Sequence, residues 1–155
     1  MKKILVGVDT SETALQAARR AAELAAAFDA ELHVVSAFSA STMESIRTLQ
    51  SSHQDTARFQ ALEKLLQRYR ENAEQIAATT AEALQLESPE VQIVSRATEG
   101  SPAAVLLREA ELIDADLIVV GNKRVQGITR VLGSIARTVS AEAGCDLFIV
   151  NTHRS

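Results

Sequence analysis

The sequence predicts an α/β fold, a parallel sheet with helices on both faces, and three observations carry that reading. Short apolar runs rich in branched residues recur at residues 4–8, 32–38, 91–94, 117–120 and 147–150. Between most of them lie stretches with apolar residues three and four apart, the helical period. The first and fourth runs, Ile4-Leu5-Val6-Gly7-Val8 and Leu117-Ile118-Val119-Val120, are apolar throughout, as strands buried on both sides are. Strands alternating with helices imply right-handed crossovers between parallel neighbours. A chain of 155 residues suits one domain, residues 1–155, with a core that needs no covalent staple. No internal repeat or linker is evident.

Each element has its own signal. After the first strand, Ala14, Ala17, Ala18, Ala21, Ala25 and Phe28 fall on one helical face. Asp9-Thr10-Ser11-Glu12 offers the residues of a helix start, with Asp9 as N-cap and Glu12 three positions on. Residues 39–56 are rich in Ser, Thr and Gln and read as a mobile loop with a short helical piece near residues 43–49. Residues 57–86 are strongly helical, with Leu62, Leu65, Leu66, Tyr69, Ala73, Ile76, Ala77 and Leu84 in phase and Pro89 just beyond. Gly100-Ser101-Pro102 opens the next helix, with Ser101 as N-cap and Pro102 at the first helical position. That helix runs to about Ile113, and residues 134–143 form the last one, with Ser134 as its cap.

Composition narrows the function. The formal charge is -4, whereas nucleic-acid binding calls for a basic footprint. No apolar run approaches the length of a membrane span, and Asp9 breaks the only candidate signal-peptide core. The single cysteine, Cys145, forbids an intramolecular disulfide and fits a reducing, cytoplasmic setting. It reads as a buried, inert thiol. His33, His53 and His153 have no partner at metal-ligand spacing and read as structural or surface residues. No metal site is expected.

In parallel sheets ligands bind beyond the carboxyl ends of the strands, where the strand order reverses. The exits of the first strand, at Asp9, and of the fourth, at Gly121, are therefore the first candidates. Residues 121–134 carry Gly121, Gly127 and Gly133 and lead into a helix. Glycines admit main-chain N–H groups close to an anion, and a helix N-terminus adds donors and a positive dipole end. Lys123, Arg124, Arg130 and Arg137 lie between Leu117 and Ala141 with no Asp or Glu among them. An acidic chain thus places a basic island on its candidate anion loop; a solvated face built on a glycine turn is the plainer alternative. Neither GxxxxGK[ST] nor a GxGxxG after the first strand is present, which excludes the P-loop and dinucleotide fingerprints.

Lys3-Ile4-Leu5-Val6-Gly7-Val8-Asp9-Thr10-Ser11, Leu32-His33-Val34-Val35, Gly100-Ser101-Pro102, Ala115-Asp116-Leu117-Ile118-Val119-Val120-Gly121, Leu132-Gly133-Ser134 and Cys145-Asp146-Leu147-Phe148-Ile149-Val150 together resemble the universal stress protein family over nearly the whole chain. The resemblance implies a Rossmann-like sheet of five parallel strands in the order 3-2-1-4-5, of the adenine nucleotide alpha hydrolase-like kind. It also implies homodimers that pair through the last strand. One branch of that family binds ATP through Gly-x-x-Gly, nine residues, then Gly and Ser or Thr; another binds no nucleotide. Gly121, Gly133 and Ser134 match that pattern. Arg124 stands at the second glycine, and the spacing from Arg124 to Gly133 is one residue shorter.

The expected ligand is ATP or a related adenine nucleotide, with or without Mg2+. Its expected contacts are Gly7, Val8 and Asp9 at the first strand, Val34 on the second, Val120 and Gly121 on the fourth, then Lys123, Arg124, Gly133, Ser134 and Ile135. Asp9 suits ribose hydroxyls, because a carboxylate repels a triphosphate. Arg124 either points outward or offers its guanidinium to a phosphate. No residue is placed to activate water, so hydrolysis is expected to be slow at most, and binding to act as a switch to which residues 39–56 respond. The rival expectation is a homodimeric stress-response interaction module that works without nucleotide.

Overall fold

Strand β1 (Lys3–Gly7) lies at the centre of the molecule and is buried on both faces: Ile4, Leu5 and Val6 are at most 1% exposed. The computed structural model describes residues 1–39, 56–122 and 132–152. The elements follow in order as α1 (Glu12–Phe28), β2 (Glu31–Phe38), α2 (Thr56–Glu87), β3 (Ile93–Glu99), α3 (Pro102–Ile113), β4 (Leu117–Gly121), α4 (Ser134–Glu142) and β5 (Asp146–Val150). All four strand pairings are parallel, and the sheet order is β3-β2-β1-β4-β5, as the family resemblance implies. The order reverses at β1 and β4, whose register aligns Ile4 with Leu117 and Val6 with Val119.

The period-two alternation of the strands divides the core. Ile4, Val6, Leu32, Val34, Leu117 and Val119 face α1 and α2. Leu5, Val35, Ile118 and Val120 face α3 and α4. Helix α1 buries Ala17, Ala18, Ala21, Ala22 and Ala25, a face of methyl groups that lets its axis come close to the sheet. Phe28, expected on that face, is instead 52% exposed, because the helix ends there and turns away. The edge strand β3 is tied down by a buried carboxylate. Glu109 of α3 accepts from Arg96 Nη1 at 3.0 Å and Thr98 Oγ1 at 2.8 Å, so both of its oxygens are satisfied.

Three boundaries differ from expectation. β3 begins at Ile93 and extends to Glu99, whereas the apolar run suggested residues 91–94. Val91 is buried but sits in the turn, donating its N–H to the carbonyl of Ser88 at 3.2 Å. The N-cap of α1 is Ser11, whose Oγ accepts from Ala14 N–H at 3.2 Å, in place of Asp9. The N-cap of α4 is Gly133, and Ser134 is the first helical residue. The helical piece near residues 43–49 lies outside the described residues.

A short repeat escapes the sequence reading. Asp29-Ala30-Glu31-Leu32-His33-Val34-Val35 and Asp114-Ala115-Asp116-Leu117-Ile118-Val119-Val120 are the same exit used twice. Asp29 (φ 51°) and Asp114 (φ 56°) both adopt the left-handed conformation that ends a helix. Ala30 N–H then returns to the carbonyl of Ala25 at 2.9 Å, and Ala115 N–H to Ala110 at 2.8 Å. Glu31 N–H bonds Lys2 C=O, and Asp116 N–H bonds Lys3 C=O, so the two exits grip consecutive residues at the start of β1 from either side. Asp116 adds its carboxylate: Oδ2 accepts from the N–H groups of Lys2 at 2.7 Å and Lys3 at 3.0 Å.

These details set two predictions. A left-handed Asp costs about 1–2 kcal/mol, and glycine's extra chain entropy offsets roughly 0.5–1 of that. Asp29→Gly or Asp114→Gly is therefore expected to raise stability by about 0.5–1 kcal/mol, the larger figure including removal of a carboxylate from a helix C-terminus. Urea denaturation reads this directly. The second concerns Asp116, whose pKa the N–H donors of Lys2 and Lys3 hold below the usual carboxylate value. A depressed pKa contributes stability above the unfolded value and loses it as pH falls through the folded one. Asp116→Asn should lower Tm at neutral pH, and the deficit should shrink below about pH 4; melts at several pH values test the sign.

Candidate functional site

A cavity of about 140 Å³ opens at the carboxyl ends of the central strands, where the order reverses. Its first wall is the exit of β1: Gly7, Val8 and Asp9. Its second is the end of β4, Val120 and Gly121. The first turn of α1 contributes Ser11, Thr13 and Ala14. An apolar wall comes from Pro102, Val105 and Leu106 of α3, with Ile135 of α4 beside it, and β2 closes the far side with Val35 and Ala37. Five sequence-distant segments therefore meet where the topology places a ligand.

Asp9 holds the turn into α1. Its Oδ1 accepts the main-chain N–H of Ser11 at 2.8 Å, and the residue is exposed at the cavity rim. Oδ2 carries no hydrogen bond among the described residues. The same carboxylate is thus part of the helix entry and open to a hydroxyl donor.

Gly121 has a packing reason. A Cβ built there would stand 2.6 Å from Thr13 Cγ2 and 2.9 Å from the Thr13 carbonyl oxygen. Only hydrogen fits between the end of β4 and the first turn of α1. The next residue, Asn122, donates its N–H to Val150 C=O at 3.0 Å, and its own carbonyl accepts from Thr152 Oγ1 at 3.0 Å. The start of the glycine loop is therefore moored to the end of β5.

Of the eleven residues singled out in the sequence, six line this cavity: Gly7, Val8, Asp9, Val120, Gly121 and Ile135. Gly133 and Ser134 immediately precede Ile135, at the amino end of α4, but do not line it. Val34 lies on the other side of the sheet, in the layer beneath α1 and α2. Lys123 and Arg124 lie outside the described residues. The residues the sequence reading passed over are Ser11, Thr13, Ala14, Val35, Ala37, Pro102, Val105 and Leu106. Ala37 has the most chemical interest. β1 pairs with β2 up to Gly7–Val35, and Val8 N–H still reaches Val35 C=O at 2.8 Å. Two residues further, the main-chain edge of Ala37 points the same way and finds no strand beside it.

Other reactive groups lie away from the cavity. Cys145 is a free, half-buried thiol whose pKa burial raises, with Asp146 and Asp116 adding to the effect, so it is a poor nucleophile. His33 lies against Glu31 on β2, and burial lowers its pKa. His53 and His153 are outside the described residues.

The family model for the universal stress protein family matches residues 1–151. The chain belongs to this family. A Staphylococcus aureus (strain USA300) protein that carries the universal stress protein name is 30% identical over 153 residues, covering 97% of this chain and 84% of that protein. Among solved structures, the UspA protein of Lactobacillus plantarum superposes with a TM-score of 0.73 at 22% identity, covering 97% of each chain. A universal stress protein solved in complex with cAMP gives 0.67 at 25% identity, again over 97% of each chain. One from Archaeoglobus fulgidus solved with dAMP gives 0.65 at 19%, covering 97% of this chain and 98% of that one. Among the described residues no helix is long and apolar enough to cross a membrane.

The contact between Gly121 and Thr13 yields a prediction for this family member. Gly121→Ala should cost about 1–3 kcal/mol by overpacking. Thr13→Ala in the same chain should recover only part of that, because the carbonyl contact remains. A double-mutant cycle in denaturant measures the coupling.

Proposed function

We propose that this universal stress protein binds an adenine nucleotide of the ATP or AMP type and acts as a nucleotide-responsive regulator in the cytoplasm. The observation that carries this reading is the meeting of the Asp9 turn, the end of β4 and Ile135 around one cavity at the strand-order reversal. Relatives of the same fold solved with cAMP and dAMP support the choice of an adenine nucleotide.

Each part of such a ligand has a partner chemistry. Asp9 accepts from ribose hydroxyls. Val35 and Ala37 flank the base, and the unpaired edge of Ala37 offers a C=O and an N–H to the adenine N6–H and N1. The phosphates run toward Gly121, Lys123, Arg124 and the amino end of α4 at Gly133 and Ser134, where main-chain donors and the helix dipole favour anions. Mg2+ would accompany a triphosphate. Hydrolysis is slow at most, since Asp9, the carboxylate at the cavity, already holds the turn into α1.

Homodimers would form through β5. It is an edge strand, and Phe148 on it is 39% exposed. Arg124 in place of a glycine favours a second reading, an interaction module that works without nucleotide.

Denaturing the purified protein and identifying any released nucleotide by chromatography, followed by calorimetric titration with ATP, ADP, AMP and cAMP, separates the two. Binding of at least one of them is expected, weakened about tenfold or more by Asp9→Ala, equivalent to about 1.4 kcal/mol. No released nucleotide and no heat at millimolar ligand would favour the interaction module. Light scattering, with Phe148→Asp expected to shift dimer to monomer, tests the assembly.

A further inference from the structure

Helix α2 lies half on the sheet and half off it. Its buried residues are Ala73, Ala77 and Leu84, and residues 56–72 include none. Ala73 meets Phe38, the last residue of β2, in the wall of a cavity, so the turns before Ala73 stand beyond the strand end. At about 1.5 Å per residue the projecting part is about 25 Å long.

A helix surrounded by water is expected to be polar all round, and this one is not. Phe59, Leu62, Leu66, Tyr69, Ala73 and Ile76 follow one another at alternate spacings of three and four, the a and d positions of a heptad. From Ala73 onward the stripe packs on β2 and β3. Before it, Phe59 and Tyr69 are exposed, and Leu62 and Leu66 are half-buried. Leu65 widens the stripe on one flank and is exposed as well. The other flank carries Glu63 and Arg70, opposite charges seven residues apart. Arg70 lies over the Phe38 ring, 5.7 Å from its centroid, which holds its guanidinium at the edge of the stripe. The cavity at the end of the stripe measures about 270 Å³, with Phe38 and Ala73 as its buried floor, Ile76 beside them, and Tyr69 and Asn72 at its rim. An apolar cavity of about 150 Å³ already accepts a benzene ring. The helix therefore carries an aromatic knob, Phe59, and a matching hole about four turns further on.

We propose that the projecting part of α2 pairs, antiparallel, with the same segment of a second copy of this chain. In an antiparallel pair of identical helices, the midpoint between two contacting positions marks the two-fold axis. Glu63 and Arg70, Leu62 and Ala73, and Phe59 with the hole at Ala73 and Ile76 all have midpoints within one residue of Gln67. One axis thus satisfies a charge pair, a large-with-small seam pair and a knob in a hole. Each copy gives Phe59 to the other's cavity and Glu63 to the other's Arg70, as an isologous contact requires. The two Leu66 side chains meet at the centre. A parallel pair would set the two sheets against each other at one end and leave both cavities empty. β5 lies at the opposite edge of the sheet from β3, which α2 covers, so this contact adds to one through β5 and does not compete with it.

Cross-linking of the full chain carrying Cys145→Ser tests this, with and without Phe148→Asp. A short bismaleimide should join Leu66→Cys chains into dimers and leave Lys64→Cys chains, modified on the outer face of the helix, monomeric. Phe59→Asp should cut the Leu66→Cys dimer yield about fivefold or more. Glu63→Arg and Arg70→Glu should each lower that yield, and the two together should restore it. Phe148→Asp should leave it unchanged. Equal cross-linking at both positions, or a double charge reversal that recovers nothing, overturns the proposal. So does a Leu66→Cys thiol that reacts with a monofunctional maleimide yet gives no dimer, the result for a monomer or a different partner. A thiol at that position that fails to react at all shows the stripe covered by another segment of the same chain, and overturns it equally.

Discussion

The close seating of α1 on the centre of the sheet is the constraint from which most of the site follows. Five buried alanines bring the helix down onto β1 and β4, and Gly121 removes the one Cβ that would collide with its first turn. With the axis that near, the chain has only Val8, Asp9, Thr10 and Ser11 in which to leave β1 and enter the helix. Asp9 is held at the rim by its bond to Ser11 N–H, and the amino end of α1 faces the space above the strand ends. A larger residue along the alanine face would lift the helix and open the cavity on that side. The same methyl-sized contacts that pack the core therefore set the width of the site.

The opposite end of the sheet is organised by hydrogen bonds. Two copies of one helix-to-strand exit flank β1, and each delivers a main-chain donor to it. Asp116 then closes the start of the strand with two further acceptor contacts. Register in a parallel sheet has no hairpin turn to set it, so such fixed points matter. Holding Lys2 and Lys3 at one end determines where Gly7 and Val8 finish at the other. That in turn leaves Ala37 beyond the end of β1, with its edge unpaired.

Much of this was legible in the sequence, and what was missed has physical causes. The order of elements, the parallel sheet and a cavity at the β1 and β4 exits followed from apolar period and topology. The edge strand β3 was misplaced because Ser95, Arg96, Thr98 and Glu99 are polar, and an edge strand need not be covered on both sides. Val91 misled in the opposite direction, being apolar and buried yet in a turn. Val34 and Val35 are adjacent and both apolar, so nothing in the sequence says which faces which layer; only the register with β1 decides. Asp9 and Ser11 are both good caps, and the choice between them depends on where the strand lets go. Gly121 was read as room for an anion; what the structure shows for it is close packing against Thr13. Ala37 carried no signal, because its chemistry lies in its main chain.

The mooring of Asn122 to Val150 and Thr152 has a practical side. Because β5 runs parallel to its neighbours, residue 152 emerges at the same end as the cavity, while Met1 lies at the other. A fluorophore attached beside Thr152 would stand at that end of the sheet, next to the residue that follows Gly121. A surface tether at the amino end would leave the cavity mouth facing solution. The sheet is thus polarised, with a tethering end and a cavity-bearing end about one strand length apart.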